Sequence, residues 1–267
     1  MERAYNLKCS QSEMARINMI ARTYGKRPLV HRNPSSGDLK NIILAAMDRN
    51  TGIINGSVLE DEYFPRIKAD VFISYSHNDE GLAKKLTETL QRLGVNVFLD
   101  SQVWGSADAL LKQLDEWFCK KKNSNSYDYE KRNYSTSLVH ALLSMALFKA
   151  IDQARVAIFI NTENSLPGMD LMEENTDNGI YNNDVTYSPW IYEELMMIST
   201  IIRNRQKVYS ESMHFDINKG LDLQMAFDVP TDCLDPMNGN KLLRIIESHL
   251  DDGKGLVDLM VKGYRSI

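Results

Sequence analysis

The chain has 267 residues, 43% of them hydrophobic and 25% charged, which is the composition of a globular protein able to bury a substantial core. Its net charge of −5 argues against binding to the phosphate backbone of nucleic acids, because such binding usually needs a strong basic excess. The three cysteines are odd in number and sparse, which predicts no disulfide framework and indicates a reducing compartment, and they form no CxxC pair, so no zinc site is predicted.

No export or membrane segment is predicted. Residues 1–6 lack the apolar core of a signal peptide. The most apolar stretch, Leu138–Ile160, is too interrupted to span a bilayer, since it contains His140, Lys149, Asp152, Gln153 and Arg155. These features predict a soluble cytoplasmic protein.

The first 66 residues are predicted to form a separate N-terminal helical segment. Apolar residues recur at helical spacing over Glu13–Tyr24, and Gly25 ends that run. A second helical run covers Leu39–Met47. The segment 1–66 carries no chemical motif, and its apolar faces are expected to pack on the main domain at 67–267 or on a partner.

Strands and helices are predicted to alternate after Ala69. Short apolar runs predict strands, and apolar residues at every third or fourth position predict helices. In chain order the predicted elements are a strand at Val71–Ile73, a helix over Leu82–Leu93, a strand at Val95–Leu99, helices at Ala107–Phe118 and Ser137–Ala150, a strand at Val156–Ile160, a helix over Pro189–Arg203, strands at Lys207–Tyr209 and Leu221–Phe227, and a helix at Lys241–Leu250. This alternation indicates an α/β fold with a mostly parallel sheet flanked by helices.

Two polar stretches, 119–136 and 161–187, interrupt the alternation and are predicted to be inserted loops. The first contains Lys120–Lys122 and three tyrosines, a mixture that can bind nucleic acid, although a solvated loop fits the acidic chain better. The second is long and acidic, and loops of that length often lie over functional sites. It lacks the spacing of an EF-hand, so no metal site is predicted.

Three segments carry a family resemblance. They are Asp70–Asp79 (DVFISYSHND), Gly94–Asp100 (GVNVFLD) followed by Trp104, and Ser188–Leu195 (SPWIYEEL). In this order they resemble the bacterial Toll/interleukin-receptor (TIR) domain family, and the Trp190–Glu194 pair resembles a feature of the TIR enzymes that hydrolyse NAD. The resemblance covers residues 69–210 and implies a flavodoxin-like TIR domain within 67–267, with two insertions and a C-terminal extension.

The spacing of the third segment selects one carboxylate. Residues four apart on a helix share a face, so Trp190 and Glu194 should point together, while Glu193 is rotated by about 100°. Ligands of open parallel sheets bind beyond the carboxyl ends of the strands. The loops after the first two strands and the loop before Ser188 are therefore expected to gather at one edge.

The resemblance implies cleavage of the nicotinamide–ribose bond, with NAD as the substrate and no cofactor. The transition state of such a cleavage carries positive charge on the ribose, which a carboxylate stabilises. Glu194 is assigned this catalytic role. Nicotinamide leaves from an already positive ring nitrogen, so no general acid is needed. By position in the family, the substrate-binding residues would be Phe72, Ser74, Ser76, Asp100, Trp104 and Trp190.

Each of these residues also has an ordinary structural interpretation. Phe72 in an apolar strand fits a core residue, and both tryptophans fit a core or a pocket wall. Ser74 and Ser76 could cap the following helix. Asp100 could serve as a turn residue at the end of a strand. Without the surrounding motif, Glu194 would be assigned to a solvated helix face.

The family resemblance implies an NAD nucleosidase or ADP-ribosyl cyclase acting in bacterial antiphage defence. Its products would be nicotinamide and ADP-ribose, or a cyclic or conjugated ADP-ribose signal read by a downstream effector. Members of the family often form homo-oligomers through TIR–TIR contacts. Two alternatives are a non-catalytic TIR scaffold and a nucleoside deoxyribosyltransferase-like enzyme. A GxGxxG or P-loop motif is absent, so a standard dinucleotide or phosphate fingerprint is not indicated.

Overall fold

The computed structural model describes residues 1–26, 36–104, 106–122, 124–167, 184–206 and 227–263. The strands within these ranges are β1 (Arg3–Lys8), β2 (Val71–Ser74), β3 (Val97–Phe98), β4 (Val156–Ile160), β5 (Val185–Thr186), β6 (Phe227–Asp228) and β7 (Asp235–Asn238). The helices are α1 (Gln11–Tyr24), α2 (Ser36–Ala46), α3 (Gly56–Tyr63), α4 (Glu80–Arg92), α5 (Asp100–Val103), α6 (Ala107–Leu114), α7 (Tyr129–Gln153), α8 (Pro189–Gln206), α9 (Gly239–Glu247) and α10 (Gly253–Lys262).

A five-stranded sheet with the order β3-β2-β4-β1-β7 forms the centre of the fold. β1 pairs in parallel with β4 and β7, and β2 pairs in parallel with β4. β2 and β4 are buried along their whole length, as expected for strands covered on both faces. The prediction of an α/β fold with a parallel sheet flanked by helices is therefore confirmed.

The chain divides into two compact units. The first, here called the sheet unit, comprises Met1–Pro28, Ala69–Val97 and Ile151–Ile267. The second, here called the helical unit, comprises Leu29–Lys68 and Phe98–Ala150. The predicted boundary at residue 66 is therefore not where the two units divide, because the first residues of the chain belong to the sheet unit.

Strand β1 was not predicted from the sequence and corrects the interpretation of residues 1–66 as purely helical. Its polar residues Arg3, Asn6 and Lys8 do not alternate regularly with the apolar ones, so periodicity does not identify this short segment as a strand. It nevertheless takes an interior position in the sheet, between β4 and β7. The helices predicted in the same segment are present as α1 and α2.

The fourth position of the sheet is occupied by a strand from the beginning of the chain. In a flavodoxin-like sheet of order 2-1-3-4-5, the fourth position belongs to the strand that follows the third along the chain. Here the strand at that position is β1, from the beginning of the chain. The strand predicted at Lys207–Tyr209 lies outside the described residues. The one predicted at Leu221–Phe227 overlaps them only at Phe227, in a short antiparallel pair of β5 and β6.

Helix α7 begins earlier than the sequence predicts, and α3, α5 and α10 were not predicted. Helix α7 begins at Tyr129, so the second half of the predicted insertion at 119–136 is helical. By length and composition α7 is apolar enough to cross a membrane, in contrast to the expectation from the interrupted stretch Leu138–Ile160, but core helices of soluble proteins share these two properties. Helix α10 begins where Gly253 approaches Gly94 so closely that a Cβ atom on Gly253 would lie 2.5 Å from the backbone of Gly94.

Tyr5 connects β1 to α10, because its buried hydroxyl donates a hydrogen bond to the carbonyl oxygen of Met260. Burial raises the pKa of Tyr5 to about 12, while the nearby Arg3 lowers it. The unfolded chain would release this proton near pH 10, so the folded state binds more protons between pH 10 and 12 and loses stability as the pH rises.

We expect Tyr5→Phe to flatten this alkaline loss of stability. The rise of the Tyr5 pKa from 10 to about 12 corresponds to at most about 2.7 kcal/mol of stability between pH 9 and pH 12, while the lost hydrogen bond costs about 1 kcal/mol at neutral pH. Urea unfolding of both proteins at pH 8, 10 and 11 measures the difference. A parallel decline of the two proteins with pH would contradict the assignment to Tyr5.

Candidate active site

A buried carboxylate lies at the carboxyl end of β2. The Ser74 hydroxyl, in the last residue of that strand, donates a hydrogen bond of 2.6 Å to Oε2 of Glu194 on α8. Ser74 is fully buried and Glu194 is only 9% exposed. The next strand along the chain, β3, lies on one side of β2, and the strand after that, β4, lies on its other side. The strand order therefore reverses at β2, which places Ser74 at a topological switch point of the sheet.

Helix α8 is held firmly at its first turn. The Ser188 hydroxyl accepts a hydrogen bond from the backbone amide of Ile191, which is the capping interaction that the Ser-Pro pair predicts. The Thr186 hydroxyl accepts from the amide of Ser188 and donates to the carbonyl oxygen of Ser165. Tyr192 stacks on Phe227 with ring centroids 4.7 Å apart. These contacts fix the part of the helix that carries Glu194.

The loops that follow β2 and β4 are joined at the same edge of the sheet. Asp79 is buried, and its carboxylate accepts hydrogen bonds from the hydroxyl of Thr162 and, at 2.8 Å, from the side-chain amide of Asn164. The Ser165 hydroxyl donates to the carbonyl oxygen of Ile160, the last residue of β4. Hydrogen bonds therefore join the loops at the edge that carries Ser74. Ligands of parallel sheets bind at this edge, beyond the carboxyl ends of the strands.

The sequence did not single out Asp79, Thr162 and Asn164 as site residues. In the sequence, Asp79 is the last residue of the first family segment. A signal was nevertheless available for the other two, because the polar run from Asn161 to Ser165 follows directly on an apolar strand. Polar residues at that position commonly face the carboxyl edge of a parallel sheet.

Trp190 and Glu193, which precede Glu194 on α8, are both more exposed than Glu194. Trp190 lies one turn earlier on α8 and is 37% exposed, and a spacing of four residues puts it on the same helix face as Glu194. Glu193 is partly exposed and does not share the face of Trp190 and Glu194, since it is rotated by about 100°. The structure thus separates the two glutamates as their spacing predicts.

Phe72 and Ser76 take different places in the sheet unit. Phe72 points to the same side of β2 as Ser74, but it is 1% exposed and belongs to the core. The core interpretation of Phe72 is the one that the structure shows. Ser76 is the N-cap residue of the turn His77–Asp79, yet its side chain makes no capping hydrogen bond. The capping interpretation fails for Ser74 as well, because its hydroxyl binds Glu194.

Asp100 and Trp104 belong to the helical unit. Asp100 begins α5, and its carboxylate accepts a hydrogen bond of 2.6 Å from the amide of Ser101. Trp104 is buried, packs edge-on against Phe98 and Phe64, and donates from its indole nitrogen to the carbonyl oxygen of Pro65. The environment of Trp104 within the helical unit is that of a core residue.

The acidic loop predicted at 161–187 is described only at its two ends. Asp184 accepts a hydrogen bond from the hydroxyl of Thr231, next to β5. Asp170, Glu173, Glu174 and Asp177 lie outside the described residues. Across the described ranges, no group of three or more His, Cys, Asp and Glu side chains is arranged to hold a metal ion.

Comparison with known proteins finds a TIR domain at residues 71–122. The match begins with β2 and includes α4, β3 and α6, so it contains Ser74 but ends before α8. No curated protein and no solved structure matches the chain. The match thus covers the first two family segments, while the third segment, with Glu194, lies beyond the matched residues.

Proposed function

We propose that the chain is a TIR-domain enzyme that cleaves the nicotinamide–ribose bond of NAD, with Glu194 as its catalytic carboxylate. The observation that supports this proposal is the 2.6 Å hydrogen bond from Ser74 to a buried Glu194 at the switch point of the sheet. A glutamate on an ordinary helix face would be solvated. The TIR family also includes NAD-cleaving enzymes, which is consistent with the proposal.

The proposed chemistry needs one negative charge and no general acid. The C1′–N bond breaks with its electron pair going to the ring nitrogen, and nicotinamide leaves neutral. Positive charge then develops on the ribose, where the Glu194 carboxylate stabilises it. Attack of water at C1′ releases a proton and gives ADP-ribose, whereas attack by a nucleophile within ADP-ribose gives a cyclic product.

Supporting roles follow from placement. Ser74 would orient the carboxylate rather than touch the substrate, because its hydroxyl is committed to Glu194. Trp190, with its partly exposed ring, would provide a surface for stacking. Because of their positions in the family segments, we also propose substrate contacts for Phe72, Ser76, Asp100 and Trp104. Homo-oligomers through TIR–TIR contacts, a cytoplasmic location, an effector that reads the product and a role in antiphage defence belong to it as well.

The test is incubation of the purified chain with NAD, followed by chromatographic measurement of nicotinamide and of the ADP-ribose product. Nicotinamide release that Glu194→Ala abolishes is the expected result. Full activity in that variant would refute the role of Glu194. Turnover of free deoxynucleosides without turnover of NAD would identify a deoxyribosyltransferase instead. Cell toxicity that persists in Glu194→Ala would identify a scaffold.

A further inference from the structure

One face of α7, in the helical unit, is apolar and exposed. Its members, here called the α7 stripe, are Tyr134, Leu138, Ala141, Met145 and Phe148. The four large side chains are 68%, 44%, 50% and 40% exposed, in chain order. From Asn133 to Phe148 the helix contains no Asp, Glu, Lys or Arg. A face that merely meets water normally carries such charges.

The other side of α7 is already bound within the helical unit. The Ser135 hydroxyl donates to the buried carboxylate of Asp115. Lys149 forms an ion pair with the buried Glu60 of α3. Transfer of α7 into a bilayer would deprive both carboxylates of these partners, at a high cost for buried charges. The stripe is therefore the face that remains after α7 has packed, and a membrane span is disfavoured.

The spacing of the stripe is that of paired helices. Its members follow one another at intervals of four, three, four and three residues, which is the heptad repeat of coiled coils. The same repeat places Lys131 immediately before the stripe and Asp152 immediately after it, and both are exposed. The stripe thus has a positive end and a negative end.

We propose that the α7 stripe binds the same helix of a second copy of this chain, with the two helices antiparallel. In that arrangement Lys131 of each copy lies near Asp152 of the other, whereas parallel helices would bring like charges together. A two-fold interface also needs only one surface, because the same patch serves both copies. This inference does not depend on NAD cleavage, and the stripe lies outside the residues matched as a TIR domain.

The length of the stripe sets the strength of the expected dimer. From Lys131 to Asp152 the helix rises by about 30 Å at 1.5 Å per residue. A contact of that length and roughly 10 Å width buries a few hundred Å² per copy, which is less than the about 800 Å² of a standard stable interface. The dimer should therefore dissociate on dilution, with a dissociation constant in the micromolar range.

Analytical ultracentrifugation of the full chain between about 5 and about 300 µM tests the proposal in the micromolar range. We expect a monomer–dimer equilibrium, and we expect Met145→Glu to raise its dissociation constant by at least about tenfold, because each copy would bury an unpaired carboxylate. Met19→Glu is the matched control, since Met19 is a 62% exposed methionine on α1 of the sheet unit. Circular dichroism establishes that both variants are folded.

A charge exchange tests the orientation of the helices. Lys131→Asp should weaken the dimer by about threefold or more, and adding Asp152→Lys should restore it. A chain that stays monomeric at the highest concentration would overturn the proposal, as would equal effects of Met145→Glu and Met19→Glu. Binding of the monomer to vesicles of phosphatidylcholine and phosphatidylglycerol, lost in Met145→Glu, would overturn it in favour of a membrane surface. Failure of restoration would refute the antiparallel arrangement.

Discussion

Glu194→Gln is expected to lower kcat for NAD cleavage by about 10²- to 10³-fold, the usual loss when one electrostatic contact to the transition state is removed. Glutamine has nearly the shape of glutamate, and its Oε1 can still accept the hydrogen bond from Ser74. The substitution removes only the negative charge. KM should change far less than kcat, because the charge acts on a transition state in which the ribose becomes positive.

The chain offers a matched control for this substitution. Glu193→Gln makes the same chemical change one residue earlier on α8, on a partly exposed side chain rotated by about 100° from Glu194 around the helix. We expect it to leave kcat within about twofold, as for an ordinary surface substitution. Steady-state assays of nicotinamide release measure both variants, and thermal unfolding establishes that each is folded. Equal losses in the two variants, or none in Glu194→Gln, would remove the carboxylate from the mechanism.

The position of Glu194 was predictable from the sequence, but its partner was not. The Ser-Pro start of α8 and the four-residue spacing from Trp190 set the face on which Glu194 lies, and both depend on local helix geometry. Ser74 and Ser76 are two residues apart in a run that continues past β2, so alternation alone does not distinguish them. The choice of Ser74 depends on where β2 ends, which is set by its pairing with β4.

The interior strands β2 and β4 were predictable because each is a continuous apolar run. Strand β1 was not, since its position depends on pairing with residues more than 150 positions away in the chain. Local propensity contains no information on such pairing. The same limit applies to β7, where Pro236 and the polar Asp235 and Asn238 obscure the strand pattern, as they often do at the edge of a sheet.

A chain that begins at residue 67 is therefore expected not to fold, although it contains the whole TIR match. Its loss of β1 leaves the backbone groups of β4 and β7 unpaired in the middle of the sheet. It also removes α1, whose Asn18 donates to the hydroxyl of Thr89 on α4. We expect these losses to exceed the about 5–15 kcal/mol by which a typical domain is stable. Circular dichroism and solubility of the shortened chain measure the outcome.

A point substitution tests the same claim without shortening the chain. Leu7 lies on β1 with 0% exposure, so Leu7→Ala should lower the free energy of unfolding by about 2–5 kcal/mol. Leu44→Ala on α2, where the side chain is 52% exposed, should change it by no more than about 0.5 kcal/mol. Urea unfolding of both variants gives the comparison. Two results together would contradict the interior place of β1 in the sheet. They are cooperative unfolding of the chain that begins at residue 67 and a loss of unfolding free energy in Leu7→Ala no larger than that in Leu44→Ala.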